Sequence, residues 1–554
     1  MDLRKLPFVP LHFFFFQFTP GGKRLFIFLM AVLLFAGGFL LFARHQPDFW
    51  AISVSEVAES VEEPVKVAEA RAHYRSFDIN ANAIFNWVRY TAGPMMPHPV
   101  PAILFIILQI VGWTAILAAA TLINSRWHLI FYFLFALFIH FSDVAGAIYP
   151  ADTFHLLEFA VIISLLLLAW LFQSETLRWN VSIRFLSILS LMGIWFGLAW
   201  FQGGWIGFQR MSSGLFLYLL AVSIPFLFFI GKDLTNLIVA ATNNRPNTES
   251  RLGFRWMLGA FIPLLLIEFL LFHNFMRLDW LPISGTGLLA THLILIAGIA
   301  TVFTSQNQLH QAKKILQSHR VFSLLLTGWA ISVFGFLFMS FSGGDYMLRL
   351  GIERLATIFF LFIGAGHLFY IFFNHYPLIR EKINVYYLMT QGPRLRMVSV
   401  WIIGLIGIVV SEGQDSWLST KLFSHSYKAV CADVALLDQD SQQAERLFTE
   451  AVAILPFSVK ANYMLATLSV GDPKTVEKAV RYYQNATAFF HFPLATLNAG
   501  NLLQVNNKQA RAKALWEDPK FRRNDPYISN NLGLLYYHEE MPDSAISALK
   551  RALL

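Results

Sequence analysis

The stretch "NNLGLLYYHEEMPDSAISALKRALL", Asn530 to Leu554, decides how this chain is divided. It is polar, and small and larger apolar residues recur in it at helical spacing: Leu532, Gly533 and Tyr536, then Ala545, Leu549 and Ala552. That pattern describes two soluble helices packed closely against each other. What precedes it is different. The chain as a whole is 56% hydrophobic with 55 Phe, and 14% of its residues are charged, against roughly 25% in an ordinary soluble domain. A mean hydropathy of +0.54 agrees. The composition is that of a polytopic membrane protein carrying a soluble domain, and 554 residues leave room for both.

Working back from Leu554, the spacing repeats about every 34 residues. A first pair closes with Ala444, Phe448, Ala451 and Pro456. A second has Leu465 and Ala466, then Ala479, Tyr483 and Ala486. A third has Gly500 and Leu503, then Ala512 and Trp516. With the quoted pair they make four. "NLGLLYY…SAISALKRAL" resembles the tetratricopeptide repeat family, and the resemblance covers residues 425–554. It implies an all-α solenoid whose concave face binds a protein partner. Cys431 falls in a small-residue slot of the first pair and reads as core. Leu554 stands before the usual closing proline and no capping helix follows, so the array is expected to run on, or to be covered there.

Upstream, eleven apolar runs approach the length needed to cross a ~30 Å hydrocarbon core. They lie near 25–43, 100–122, 128–149, 154–173, 185–200, 214–231, 256–275, 284–303, 321–340, 355–373 and 397–411. Residues 1–24 read as a cytoplasmic leader and 25–43 as an uncleaved signal-anchor. Residues 100–411 read as a bundle of about ten further helices, and 412–424 as an interfacial linker. Lys and Arg concentrate in alternate loops, with Lys23, Arg24, Arg126, Arg184, Lys313 and Arg380 on one side. This places the N-terminus in the cytoplasm and the repeats on the outer side. An inner (cytoplasmic) membrane facing a periplasm is the expectation, and an endoplasmic-reticulum membrane with a luminal tail has the same geometry. The net charge of +8 is thereby spent on orientation, and nucleic acid is not expected as a partner. One Cys excludes an intrachain disulfide and any multi-Cys metal site.

The long outer loop, 44–99, contains "AISVSEVAESVEEPVKVAEARAHYRSFDI", which the Val/Ala/Glu content suggests as an amphipathic helix broken at Pro64.

Ionisable residues inside apolar spans are functional candidates by default. "FIHFSDVAGAIYP" supplies His140 and Asp143, and "ADTFHLLEFA" supplies Asp152, His155 and Glu158. His140/Asp143 and His155/Glu158 are i,i+3 pairs, each sharing a helix face. His with carboxylate suits a divalent metal such as zinc or manganese. Proton relay and plain interhelical hydrogen bonding use the same residues. Glu268, His273, His292 and His367 are further intramembrane polar groups.

In layout the membrane part resembles lipid-dependent glycosyltransferases of the C superfamily, which place an acidic pair after the first span. Here that position reads "RHQPDFWAI", with Asp48 alone. The resemblance implies Asp48 as general base, with Asp143, Asp152 and His155 in metal or substrate roles. The favoured expectation is different: a membrane-anchored scaffold whose repeats organise partner proteins in envelope assembly, export or surface processing.

Overall fold

The computed structural model describes residues 20–45, 54–72, 75–95, 97, 99–123, 126–148, 156–174, 179–243, 319–342, 346–380, 397–470, 473–488, 492–518 and 525–553. The chain is overwhelmingly helical and divides into two units. One comprises residues 1–50 and 98–437, the other 51–97 and 438–554.

The first unit holds α1 (Pro20–His45), α2 (Pro99–Ala120), α3 (His128–Ser142), α4 (Val144–Ile148), α5 (Leu156–Gln173) and α6 (Val181–Asn243). It continues with α7 (His319–Ser342), α8 (Tyr346–Phe359), α9 (Ala365–Arg380), α10 (Met397–Gln414) and α11 (Leu418–Leu437). Among the described residues, six helices are long and apolar enough to cross a membrane, or seven if the bent pair α10–α11 is one span. Most of the eleven expected windows fall on these helices. The windows 256–275 and 284–303 lie outside the described residues.

Val321–Ser340 of α7 is 89% buried, whereas Leu156–Gln173 is 22% buried, so α7 is central and α5 peripheral. On α5 the residues Phe159, Ile163, Leu167 and Trp170 form an exposed apolar stripe. In water such a face would be a liability, and against lipid it has no cost. The central contact, α2 on α7, depends on missing side chains. A Cβ at Gly112 would come within 2.8 Å of the Gly328 carbonyl, and one at Gly328 within 2.7 Å of the Gly112 carbonyl. Beside this approach Gln109 Nε2 donates to the Ser332 carbonyl at 2.8 Å, and Ser332 Oγ donates to Gln109 Oε1 at 2.5 Å.

A straight helix the length of α6, which has 63 residues, would run roughly 95 Å at 1.5 Å per residue, about three hydrocarbon thicknesses. It does not run straight. Gly204 has φ 57° and ψ −151°, a conformation essentially restricted to glycine. A Cβ at Gly207 would lie 3.6 Å from the Ala199 carbonyl, so the chain turns back there. The windows 185–200 and 214–231 fall on the two sides of this turn.

Residues 412–424 correct the expectation of a separate linker. They form a 70° corner between α10 and α11, with Ser416 and Trp417 at φ 54° and 59°. The corner is held electrostatically. Glu412 accepts from Ser419 N at 3.1 Å and Ser419 Oγ at 2.8 Å. Arg354 of α8 bridges to Glu412 at 3.3 Å and to Asp415. The expected domain boundary at 425 also moves, to 437. The reason is packing: Leu422 and Phe423 lie against Gly351 of α8, and Tyr427 meets Phe216 at 5.8 Å. Cys431 is half-buried rather than core.

Among its described residues the second unit contains a long antiparallel hairpin and seven α-helices. The hairpin pairs β1 (Val54–Ala72) with β2 (Arg75–Ala92) from Val54↔Ala92 to Ala72↔Arg75, with one irregularity between Lys66 and Ala68. This overturns the amphipathic helix. β-branched Val recurs through β1, and Pro64 would cost about 3 kcal/mol inside a helix but is tolerated in an edge strand. β2 alternates outright in "FDINANA", polar and apolar by turns.

The helices are α12 (Ser441–Ile454), α13 (Val459–Ser469), α14 (Val476–Ala488), α15 (Pro493–Val505), α16 (Gln509–Trp516), α17 (Pro526–His538) and α18 (Pro542–Ala552). Asp440, Ser458 and Asp525 accept the backbone N–H three residues on, capping α12, α13 and α17. Pro493, Pro526 and Pro542 open α15, α17 and α18, where a missing N–H is harmless. Asn507 and Glu540, 33 residues apart, both take the left-handed conformation at corresponding turns. α15 packs on α16 and α17 on α18. The pairs close through glycine: a Cβ at Gly500 would overlap the Trp516 indole, and one at Gly533 would meet Leu549 at 2.7 Å.

Candidate functional site

The most specific polar arrangement in the described residues lies inside the second unit. The end of β2 and the residues after it, Val88 to Met95, lie along α13, α15 and α17, the first helices of successive pairs. Asn531 on α17 accepts from the Tyr90 N–H at 3.0 Å and donates to the Tyr90 carbonyl at 2.9 Å. Asn498 on α15 repeats this on Ala92, accepting at 3.0 Å and donating at 2.8 Å. Each carboxamide thus presents one acceptor and one donor to one residue's peptide groups, as a neighbouring strand would.

Supporting contacts surround these two. Asn501 donates to the Tyr90 carbonyl at 2.9 Å, and Asn530 donates to the Val88 carbonyl at 2.7 Å. Tyr463 Oη donates to the Gly93 carbonyl at 2.6 Å and itself accepts from Asn498 at 3.0 Å. The Met95 N–H points at Met464 Sδ, 3.2 Å away. Burial raises the Tyr463 phenol far above its ordinary range, so it remains a donor at any physiological pH. Its orientation is set by rings of Tyr483 and Phe492, at 5.4 and 5.5 Å.

Position follows the repeat. Met464, Asn498 and Asn531 each stand two residues before a small residue at a pair's close approach, Ala466, Gly500 and Gly533. One slot in three consecutive pairs therefore meets Met95, Ala92 and Tyr90 in turn. The spacing in the strand is two residues between Tyr90 and Ala92, which places their N–H and C=O groups on one edge. The intervening Thr91, and Arg89 before Tyr90, face Ser55 and Val57 of β1. Both edges of this strand are occupied. Side-chain selectivity is modest: the Tyr90 ring stacks obliquely on Tyr527 at 4.9 Å, and Ala92 and Met95 are buried.

The outer face of the unit is stitched by ion pairs between second helices. Lys478 meets Glu445 at 3.1 Å, and Arg511 meets Glu477 at 2.7 Å, with Lys508 also on Glu477. Hydrogen bonds from Arg511 and then Lys508 hold the Glu477 carboxyl down to about 2.

The ionisable residues of the apolar unit are partly brought together. His140 Nδ1 and Glu158 Oε1 are 2.7 Å apart across α3 and α5, with His140 exposed. Asp143 sits at φ 49° as the cap between α3 and α4 and accepts from the Gly146 N–H at 3.2 Å. His367 is buried on α9, its ring stacked with Tyr370 at 5.8 Å, just after a π-helical turn at Phe360–Gly364. Asp48, Asp152, His155, Glu268, His273 and His292 lie outside the described residues. Among the described residues no three His, Cys, Asp or Glu side chains converge as metal ligands do. Sequence reasoning missed Asn498, Asn501, Asn530 and Asn531. The signal available for two of them was their shared offset from Gly500 and Gly533.

No protein-family model, curated protein or solved structure matches this chain.

Proposed function

We propose that this is a membrane-anchored scaffold whose C-terminal helix pairs form a tetratricopeptide-type solenoid, and that the solenoid organises partner proteins outside the cytoplasm by gripping extended backbone. The observation that carries this reading is the repeated carboxamide contact, Asn531 on Tyr90 and Asn498 on Ala92. A surface built for catalysis would present titratable or nucleophilic groups to its occupant. This one presents amides, a phenol and a thioether, which bind peptide groups and do no chemistry.

Topology supports the same reading. The gripped segment lies between the first two apolar helices, and its partners lie beyond the last. They share a compartment only if the chain crosses the membrane an even number of times between Pro99 and Gln414. The ten apolar windows from 100 to 411 meet that condition, and the loop charges independently assign both ends to the outer side. The apolar helices supply the anchor, in a cytoplasmic membrane facing a periplasm.

The test is removal of residues 438–554 from the chain in its native membrane. Membrane insertion is expected to persist, while the high-mass assemblies seen on native gels with the full chain are lost. Assemblies of unchanged size and yield would overturn the scaffold reading.

A further inference from the structure

We propose that the asparagine-lined face is a receptor for an extended segment of a partner protein, with the pattern aromatic-x-small, and that residues 88–95 hold it shut in cis. This deepens the scaffold reading and rests on it.

Two features of the contact lead here. First, the hydrogen bonds to the occupant go to its backbone: the carbonyl of Val88, both groups of Tyr90, both groups of Ala92 and the carbonyl of Gly93. Any strand offers those groups. What the face asks of side chains is one ring for Tyr527 and, at the buried Ala92 position, a small residue. Second, the occupant belongs to the same chain and is also paired to β1 through its other edge. A tethered segment acts at an effective concentration on the order of 1 mM. A free peptide with an intrinsic Kd of about 10 μM is then weakened about 100-fold by competition. The cis strand wins against any dilute competitor. A partner gains the face when it is concentrated at the membrane, or when something else takes hold of the hairpin.

The probe is a fluorescent peptide with the chain's own sequence from Asn86 to Met95, titrated by anisotropy into the full-length protein in nanodiscs. Two variants release the cis strand by different routes. Tyr90→Asp with Ala92→Asp disrupts its side-chain fit. Thr91→Pro removes an N–H directed at β1 and leaves the helical face untouched. Binding to either variant is expected to be about 100-fold tighter than to the wild type. Adding Asn498→Ala and Asn531→Ala to a released variant is expected to weaken it again by at least tenfold. The wild-type chain gives an independent reading: a few millimolar peptide should speed hydrogen exchange at the Tyr90 and Ala92 amides about fivefold or more.

Equal affinity for wild type and released variants would overturn the cis latch while leaving the scaffold reading in place. No binding to released variants that keep wild-type circular dichroism, with unchanged exchange in the wild type, would overturn the receptor itself. If neither variant folds, the exchange measurement decides alone.

Discussion

Two contacts in the molecule use side-chain amides, and they use them differently. In the apolar unit Gln109 bonds Ser332 across the α2–α7 contact, where Gly112 and Gly328 have already brought two backbones together. The amide there adds to a contact that packing makes, since lipid leaves no hydrophobic drive between helices. In the second unit Asn498 and Asn531 are what the Ala92 and Tyr90 N–H groups bond to. Without them the peptide groups of Tyr90 and Ala92 face a helical surface that has nothing else to offer Ala92 N–H. The difference teaches where a polar substitution will matter: at a close approach the amide is secondary, and at a strand edge it is decisive.

The largest effect is therefore expected from Asn498→Ala combined with Asn531→Ala. It leaves two peptide groups short of partners at about 1–3 kcal/mol for each lost contact, about 4 kcal/mol in all. Amide exchange at Tyr90 and Ala92 should rise by two orders of magnitude or more while helix content is kept; retained protection would show that the asparagines are incidental. Next comes Gly328→Leu, which forces a side chain into the Gly112 carbonyl and should cost about 3 kcal/mol. Gly38, with nothing within 4 Å of its Cβ position, is the control. Detergent melting curves that fall equally for both would sink the close-packing account. Gly500→Ala, placed against the Trp516 indole, is expected to cost about 2 kcal/mol, visible as a lower melting temperature of the second unit.

The smallest effect belongs to the outer ion pairs. The Glu477 carboxyl is held below its ordinary value of 4.5, to about 2. Whatever stability it lends is present above pH 4.5 and is lost as pH falls from there toward 2. Because the pair is fully exposed, Glu477→Gln should move the neutral-pH melting temperature by no more than about 1 °C. A larger drop would promote the outer face from trim to structure.

How legible this was from sequence differs by element. The apolar helices declare themselves by length and composition, so Pro99–Ala120 and His319–Ser342 fall close to the windows read for them. The turn at Gly204 separates two windows that secondary structure alone joins. The hairpin was hidden because Ala and Glu in "VAESVEEPVKVAEARA" mimic a helix, while the clean alternation lay only in its partner strand. The asparagines were visible as residues at a recurring offset. Their role was not, because a carboxamide acquires a meaning only when the backbone opposite it is known. His140 and Glu158 were legible as polar residues in adjoining apolar runs but their contact with each other was not, and Asp143 was legible as polar but not as a cap.

The contact between Tyr90 and Asn531 joins residues 441 apart in the chain. Ribosomes add roughly 5–20 residues per second, so about 20–90 s separate the emergence of the hairpin from that of the helix that clasps it. During that interval a two-stranded ribbon waits with one edge of β2 bare. The clasp can therefore close only after synthesis has reached the last helices, so closure is a late step in the life of each molecule. An assembly factor that recognises a naked strand would have its best opportunity before it, and the age of each molecule would be written in whether that strand is covered.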